Sequence, residues 1–155
     1  MAGAIDARLQ ELGIELPEAA APAANYVPYV DSGNHVFVAG QITIYNGEIQ
    51  YVGKLGRDYG VEEGEAAARL CALNIIAQVK AACGGDLDRV LRCVRLGGFV
   101  NSTADFTDQP EVINGASNLM VEVFGDKGKH SRAAVSAASL PRGVAVEVDA
   151  VFEIG

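Results

Sequence analysis

Near the C-terminus, Val144, Val146, Val148, Ala150 and Phe152 alternate with Ala145, Glu147, Asp149, Val151 and Glu153. Successive side chains of a strand point to opposite faces, so this period of two predicts a strand over 144–153 with one face buried. Such a face needs a second layer to cover it. Two segments can supply that layer. Residues 62–83 place Ala68, Ala72, Ile75, Ile76, Val79 and Cys83 at helical spacings, with Gly84-Gly85 as the stop. Residues 108–124 repeat the pattern through Val112, Ala116, Leu119, Val123 and Phe124, with Asp108 as N-cap, Pro110 in the first turn and Gly125 at the end.

The remaining elements follow from turn chemistry. Tyr26–Val30 and His35–Ala39 flank Asp31-Ser-Gly-Asn34, and Ile42–Tyr45 and Ile49–Val52 flank Asn46-Gly47, which predicts two hairpins. Residues 90–96 read as a strand bounded by Gly97-Gly98 and continuing weakly through Phe99-Val100. Residues 132–139 read as a strand that could pair with 144–153 through the Leu140-Pro-Arg-Gly143 turn. The class is therefore α+β, a two-layer domain with both helices on one face of a sheet. At 155 residues the chain is one domain. Residues 1–23 form an N-terminal extension, with a short helix carrying Ile5, Leu9 and Leu12 and a Pro/Ala-rich lead-in; residues 24–155 form the domain proper.

Charge narrows the partners. The net charge is −8, and Lys and Arg are scattered apart from Lys127–Arg132, which argues against nucleic acid. Cys71, Cys83 and Cys93 are odd in number, form no Cys-x-x-Cys pair and lie in apolar segments, so they read as small buried hydrophobes. His35 and His130 stand too far apart to suggest a metal cluster. No apolar run reaches the length of a membrane span, and the first residues lack the basic-then-apolar pattern of a signal peptide, so a cytoplasmic location is expected. Asn101-Ser102-Thr103 fits the glycosylation pattern and reads as chance without a secretory route.

Phosphate-cradling, dinucleotide-binding and nucleophile-elbow glycine motifs are all missing. Among the polar residues that remain, Glu147 shares a strand face with Asp149 and Glu153, and Arg132 opens the preceding strand. By spacing alone these are a solvated acidic face and a surface arginine. Read together, they could serve one pocket or merely neutralise one another.

The run Arg132-Ala-Ala-Val135-Ser-Ala-Ala-Ser-Leu140-Pro141-Arg-Gly-Val-Ala-Val-Glu147 resembles the C-terminal signature of the YjgF/RidA family, which also carries the older label endoribonuclease L-PSP. Tyr26–Gln41, with its Gly33-Asn34 turn and Gly40-Gln41, resembles the N-terminal hairpin of that family, and Asp105-Phe106 with Asn114 resembles the entry to its second helix. The resemblance covers about residues 24–154. It implies a chorismate-mutase-like two-layer sandwich, a mixed sheet backed by two helices, assembled as a homotrimer with clefts between subunits. It further implies hydrolysis of small imines or enamines such as 2-aminoacrylate to keto acids and ammonia, without metal or organic cofactor. In that reading Arg132 holds the substrate carboxylate, Glu147 polarises a water, and Tyr26, Asn114 and Ala134 line the substrate cleft. Ala134 stands where the family commonly has a Cys, His130-Ser131 where it has Pro-Ala, and the stretch from Asn114 to Arg132 is one residue longer. A non-catalytic carboxylate-binding trimer and a ribonuclease are the other two readings.

Overall fold

The computed structural model describes residues 3–21 and 24–155. The elements in chain order are α1 (Ala4–Glu11), β1 (Tyr29–Ser32), β2 (His35–Gln41), β3 (Ile44–Tyr45), β4 (Glu48–Ile49), α2 (Val61–Ala82), β5 (Val90–Asn101), α3 (Gln109–Phe124), β6 (Ser131–Ala137) and β7 (Val146–Ile154). Five strands form a mixed sheet in the order β1-β2-β7-β5-β6, and β3 and β4 make a separate hairpin. Helices α2 and α3 pack side by side on one face of the sheet. The α+β two-layer expectation is met.

β7 shows why. Val146, Val148, Ala150, Phe152 and Ile154 are all buried, and the residues between them are partly open. The apolar stripe meets α2, whose buried side includes Ala68, Cys71, Ala72, Ile75, Ile76 and Val79. Asn46 and Gly47 have φ of 47° and 88°, the left-handed pair that a two-residue hairpin between β3 and β4 requires.

The expected pairing of the last two strands is wrong. β7 lies between β2 and β5, antiparallel to both, and β6 pairs on the far side of β5, parallel to it. A parallel neighbour needs a crossover, and α3 provides it between β5 and β6. The segment Pro141–Gly143 is a single 3-10 turn rather than a hairpin. β5 also runs unbroken through Gly97 and Gly98. A Cβ at Gly98 would collide with Ile113 of α3, so the glycine lets the helix settle on the strand.

Asp108 occupies the N-cap position of α3, but its side chain makes no capping bond. Asn101 is 3% exposed and hydrogen-bonds inside the fold to Lys54 and Val144, which removes it as a glycosylation acceptor. The three cysteines are free and buried, and burial pushes the Cys93 thiol up to about 12. Helix α1 is docked by Asp88, whose carboxylate accepts from Ala4 N (3.0 Å) and Ile5 N (2.9 Å). Among the described residues, no helix is long and apolar enough to cross a membrane.

The two long helices approach closely at Gly115, where a Cβ would fall 2.7 Å from the carbonyl carbon of Glu65. Because the obstacle is backbone, Gly115→Ala is expected to destabilise the chain by about 1–3 kcal/mol, read as a fall of several degrees in melting temperature. An unchanged melting temperature would show that the helices can separate freely.

Candidate functional site

Arg132 sits on β6, the edge strand, in register with the buried Leu96 of β5, so it points to the helix-covered side of the sheet. There it uses two of its five N–H groups. One donates to Pro110 O and another to Ser117 Oγ, both at 3.1 Å. Asn114, half-buried, lies between Pro110 and Ser117 on the same stripe of α3. Ala134, also half-buried, is two residues along β6 on the same side.

His130 extends this network. Its Nδ1 lies 2.6 Å from Gly128 O and its Nε2 lies 2.9 Å from Ser117 Oγ. A carbonyl only accepts, so Nδ1 carries the proton; Nε2 then accepts from the Ser117 hydroxyl, whose oxygen accepts from Arg132. Burial, aided by the charge of Arg132, holds the imidazole below its ordinary pKa, which keeps the neutral ring this chain of bonds uses.

Glu147 lies elsewhere. It is the half-buried, open-face residue of β7 opposite Phe99. It faces a cavity of about 490 Å³ whose polar lining is Tyr26, Gln41, Arg142 and Glu147 itself. β2 bulges between Val38 and Gln41, and a Cβ on Gly40 would collide with Glu147 Oε2. The glycine lets the carboxylate lie against the strand backbone. Burial, and next the charge of Asp149, raise the Glu147 pKa. Burial raises that of Asp149 too, opposed by Arg95 and by a bond from Gly97. Arg142 adopts φ 62°, ψ 9°, a left-handed backbone unusual for a side-chain-bearing residue.

The model of the family described as "YjgF/chorismate mutase-like, putative endoribonuclease" matches residues 6–152. The chain belongs to that family. Protein TCP17 of Trypanosoma cruzi is 53% identical over 153 residues, spanning 98% of this chain and 95% of that protein. The crystal structure of Atu1372 from Agrobacterium tumefaciens, described as of unknown function, is 50% identical with a TM-score of 0.90, covering 97% of this chain and 94% of that one. A structure from Shewanella oneidensis MR-1, described as a putative endoribonuclease, is 39% identical with a TM-score of 0.94, covering 98% and 100%.

In this YjgF-family chain the expected site residues fall into two groups. Arg132, Asn114 and Ala134 gather at the β6–α3 edge, whereas Tyr26 and Glu147 share the cavity on the other side of the sheet. A pocket of Arg132 and Glu147 within one hairpin does not exist, because β5 separates their strands and they face opposite ways. Their registers differ by three residues and two strands, roughly 10 Å along the strands and roughly 10 Å across them. Ser117 and His130 join Arg132 in one hydrogen-bond network, and Gln41 and Arg142 line the cavity with Glu147, none of which spacing in the sequence singled out as a site residue. Gln41 carried a signal only as part of the hairpin resemblance, and Arg142 only as part of the Leu140-Pro-Arg-Gly143 turn.

The raised carboxyls make a definite prediction about stability. Between the ordinary Glu value of 4.5 and the raised folded value, the folded chain binds more protons than the unfolded one, so this contribution weakens as pH rises through that window. Glu147→Gln removes the charged form and is expected to raise the melting temperature at pH 8 by a few degrees, with little change at pH 4. A lowered melting temperature at pH 8 would mean that the carboxylate is stabilised by a partner.

Proposed function

We propose that the chain hydrolyses small imines and enamines of the 2-aminoacrylate type to 2-oxo acids and ammonia. The clefts lie between the subunits of a homotrimer, where Arg132 of one subunit faces Glu147 of its neighbour. The observation that carries this reading is the state of Glu147: a half-buried carboxylate with a raised pKa and no side-chain hydrogen bond or ion pair among the described residues, set in a cavity. A group so placed accepts a proton more readily than an ordinary exposed carboxylate.

Two features support placing the cleft between subunits. The uncovered face of the sheet exposes Val30, Phe37 and Val135 at 51%, 49% and 48%, an apolar surface that a neighbouring copy would cover. Arg132 is held by α3 at the sheet edge, with N–H groups still free to grip a carboxylate in the forked manner of a guanidinium. Closed threefold assembly would bring one subunit's edge to the next subunit's open face.

In the reaction, a water beside Glu147 attacks the imine carbon while its proton passes to the carboxylate. The resulting carbinolamine takes that proton on nitrogen, its hydroxyl proton passes to the Glu147 carboxylate as the C=O bond forms, and the C–N bond breaks to give the 2-oxo acid and ammonia, which carries the proton away as ammonium. Arg132 keeps the substrate carboxylate fixed throughout. The iminium carbon is electrophilic without further activation.

A trimer that binds a small carboxylate without turnover is the second reading, favoured by Ala134, which offers no side-chain chemistry beside Arg132. A ribonuclease ranks last on account of the −8 charge.

Arg132→Ala is expected to lower ammonia release from lyase-generated 2-aminoacrylate by at least about 100-fold, with the assembly unchanged in size-exclusion chromatography. Full turnover in that variant would reject the mechanism, and carboxylate binding by the parent chain without any ammonia release would establish the second reading.

A further inference from the structure

The cavity beside Glu147 is far larger than a three-carbon imine requires. At about 490 Å³ it falls within the range of sites that enclose whole cofactors or drug-sized ligands, about 300–1,000 Å³. Its polar groups are few and its other walls are apolar: Ile42, Ile44 and Ile49 on and beside the β3–β4 hairpin, Pro28 before β1, and Ala20 and Ala21 from the N-terminal lead-in. Ile49 is left 39% exposed there. Water gains little from such walls, and a hydrocarbon side chain would gain much.

The lead-in is a built wall rather than a strand of chain lying loose. The buried Gln78 of α2, 1% exposed, donates from Nε2 to Ala20 O at 2.7 Å. Upstream, Glu18 N donates to Asn46 Oδ1 at 2.8 Å and Tyr45 Oη donates to Glu15 O at 3.0 Å, so the segment is tied to the β3–β4 hairpin along its length. Two elements outside the main sheet are thereby joined into one apolar enclosure, which Tyr26, Arg142 and Glu147 also line.

We infer that this enclosure receives a branched aliphatic or aromatic side chain, so that the preferred substrates are imines of larger apolar amino acids, with the Ala20–Ala21 segment as a specificity wall. The inference rests on the hydrolytic reading above for the reaction, but not for the binding. Each methylene buried is worth roughly fourfold in affinity, and a leucine-type side chain adds three carbons to an alanine-type one.

The test measures binding of 2-oxo acids, the reaction's products, by calorimetry on the full chain, so that it does not depend on turnover. 4-Methyl-2-oxopentanoate and phenylpyruvate are expected to bind at least about tenfold more tightly than pyruvate. Ala21→Phe, which fills the enclosure from the lead-in, is expected to abolish that advantage. Ile49→Trp fills it from the facing hairpin and serves where the first variant fails to fold. Equal affinities for the three acids, a preference that survives both folded variants, or no binding of any of them would overturn the inference. Tight, size-selective binding with no ammonia release from any imine would instead overturn the hydrolytic reading and leave the enclosure standing.

Discussion

The position of β7 between β2 and β5 is the constraint from which the rest of the architecture follows. Its five buried residues give the two helices a continuous apolar strip to cover, and its antiparallel ladders to both neighbours close the centre of the sheet. With β5 occupied by β7 on one side, β6 can pair only on the other, and the α3 crossover makes that pairing parallel. Arg132 is thereby carried to the sheet edge under α3. The same pleat that buries Val146 and Val148 turns Glu147 and Asp149 outward. One strand placement thus decides both where the cation sits and which way the acids face.

Most of that frame was legible in the residues. The period of two across 144–153 identified the strand and its dry face, helical spacing located α2 and α3, and Asn46-Gly47 announced its hairpin. What could not be read was neighbourhood. Residues 131–137 and 146–154 are consecutive strands joined by a tight turn, and nothing in their local pattern distinguishes a hairpin from a chain that passes over the end of β5. Gly97 and Gly98 were ambiguous for a related reason: glycine reads as a strand breaker unless the neighbours it makes room for are known, Asp149 at Gly97 and Ile113 at Gly98. Local propensity reports on the residue, whereas pairing depends on what the remainder of the sheet has already filled.

The candidate site was legible only as a list of residues. Arg132, Glu147, Tyr26 and Asn114 came from a resemblance, and their chemistry suits the positions they occupy. Their grouping did not come with it. Ser117 and His130 are invisible to spacing arguments because the link is a hydroxyl on a helix and an imidazole in a loop, brought together only by the crossover. The bonds from Arg132 to Ser117 Oγ and Pro110 O hold the guanidinium against α3, and His130 fixes the Ser117 hydroxyl that receives one of them. An arginine prepared in this way loses less side-chain freedom on gripping a carboxylate than one waving in solvent.

The electrostatics of the proposed cleft couple the two halves. In one chain, Glu147 is disfavoured as a carboxylate by burial and by Asp149, with no cation to offset them in its own cavity beyond the exposed Arg142. An approaching guanidinium from a neighbouring subunit would favour the ionised form and depress its basicity. In the proposed reaction a substrate carboxylate on Arg132 would offset that effect and restore the basicity of Glu147. The acid would then be most basic when the substrate is in place and held ionised when the cleft is empty. On this account the separation of Arg132 from Glu147 within each chain serves the chemistry: a pair locked to each other inside one subunit would satisfy both charges and leave neither for substrate or water.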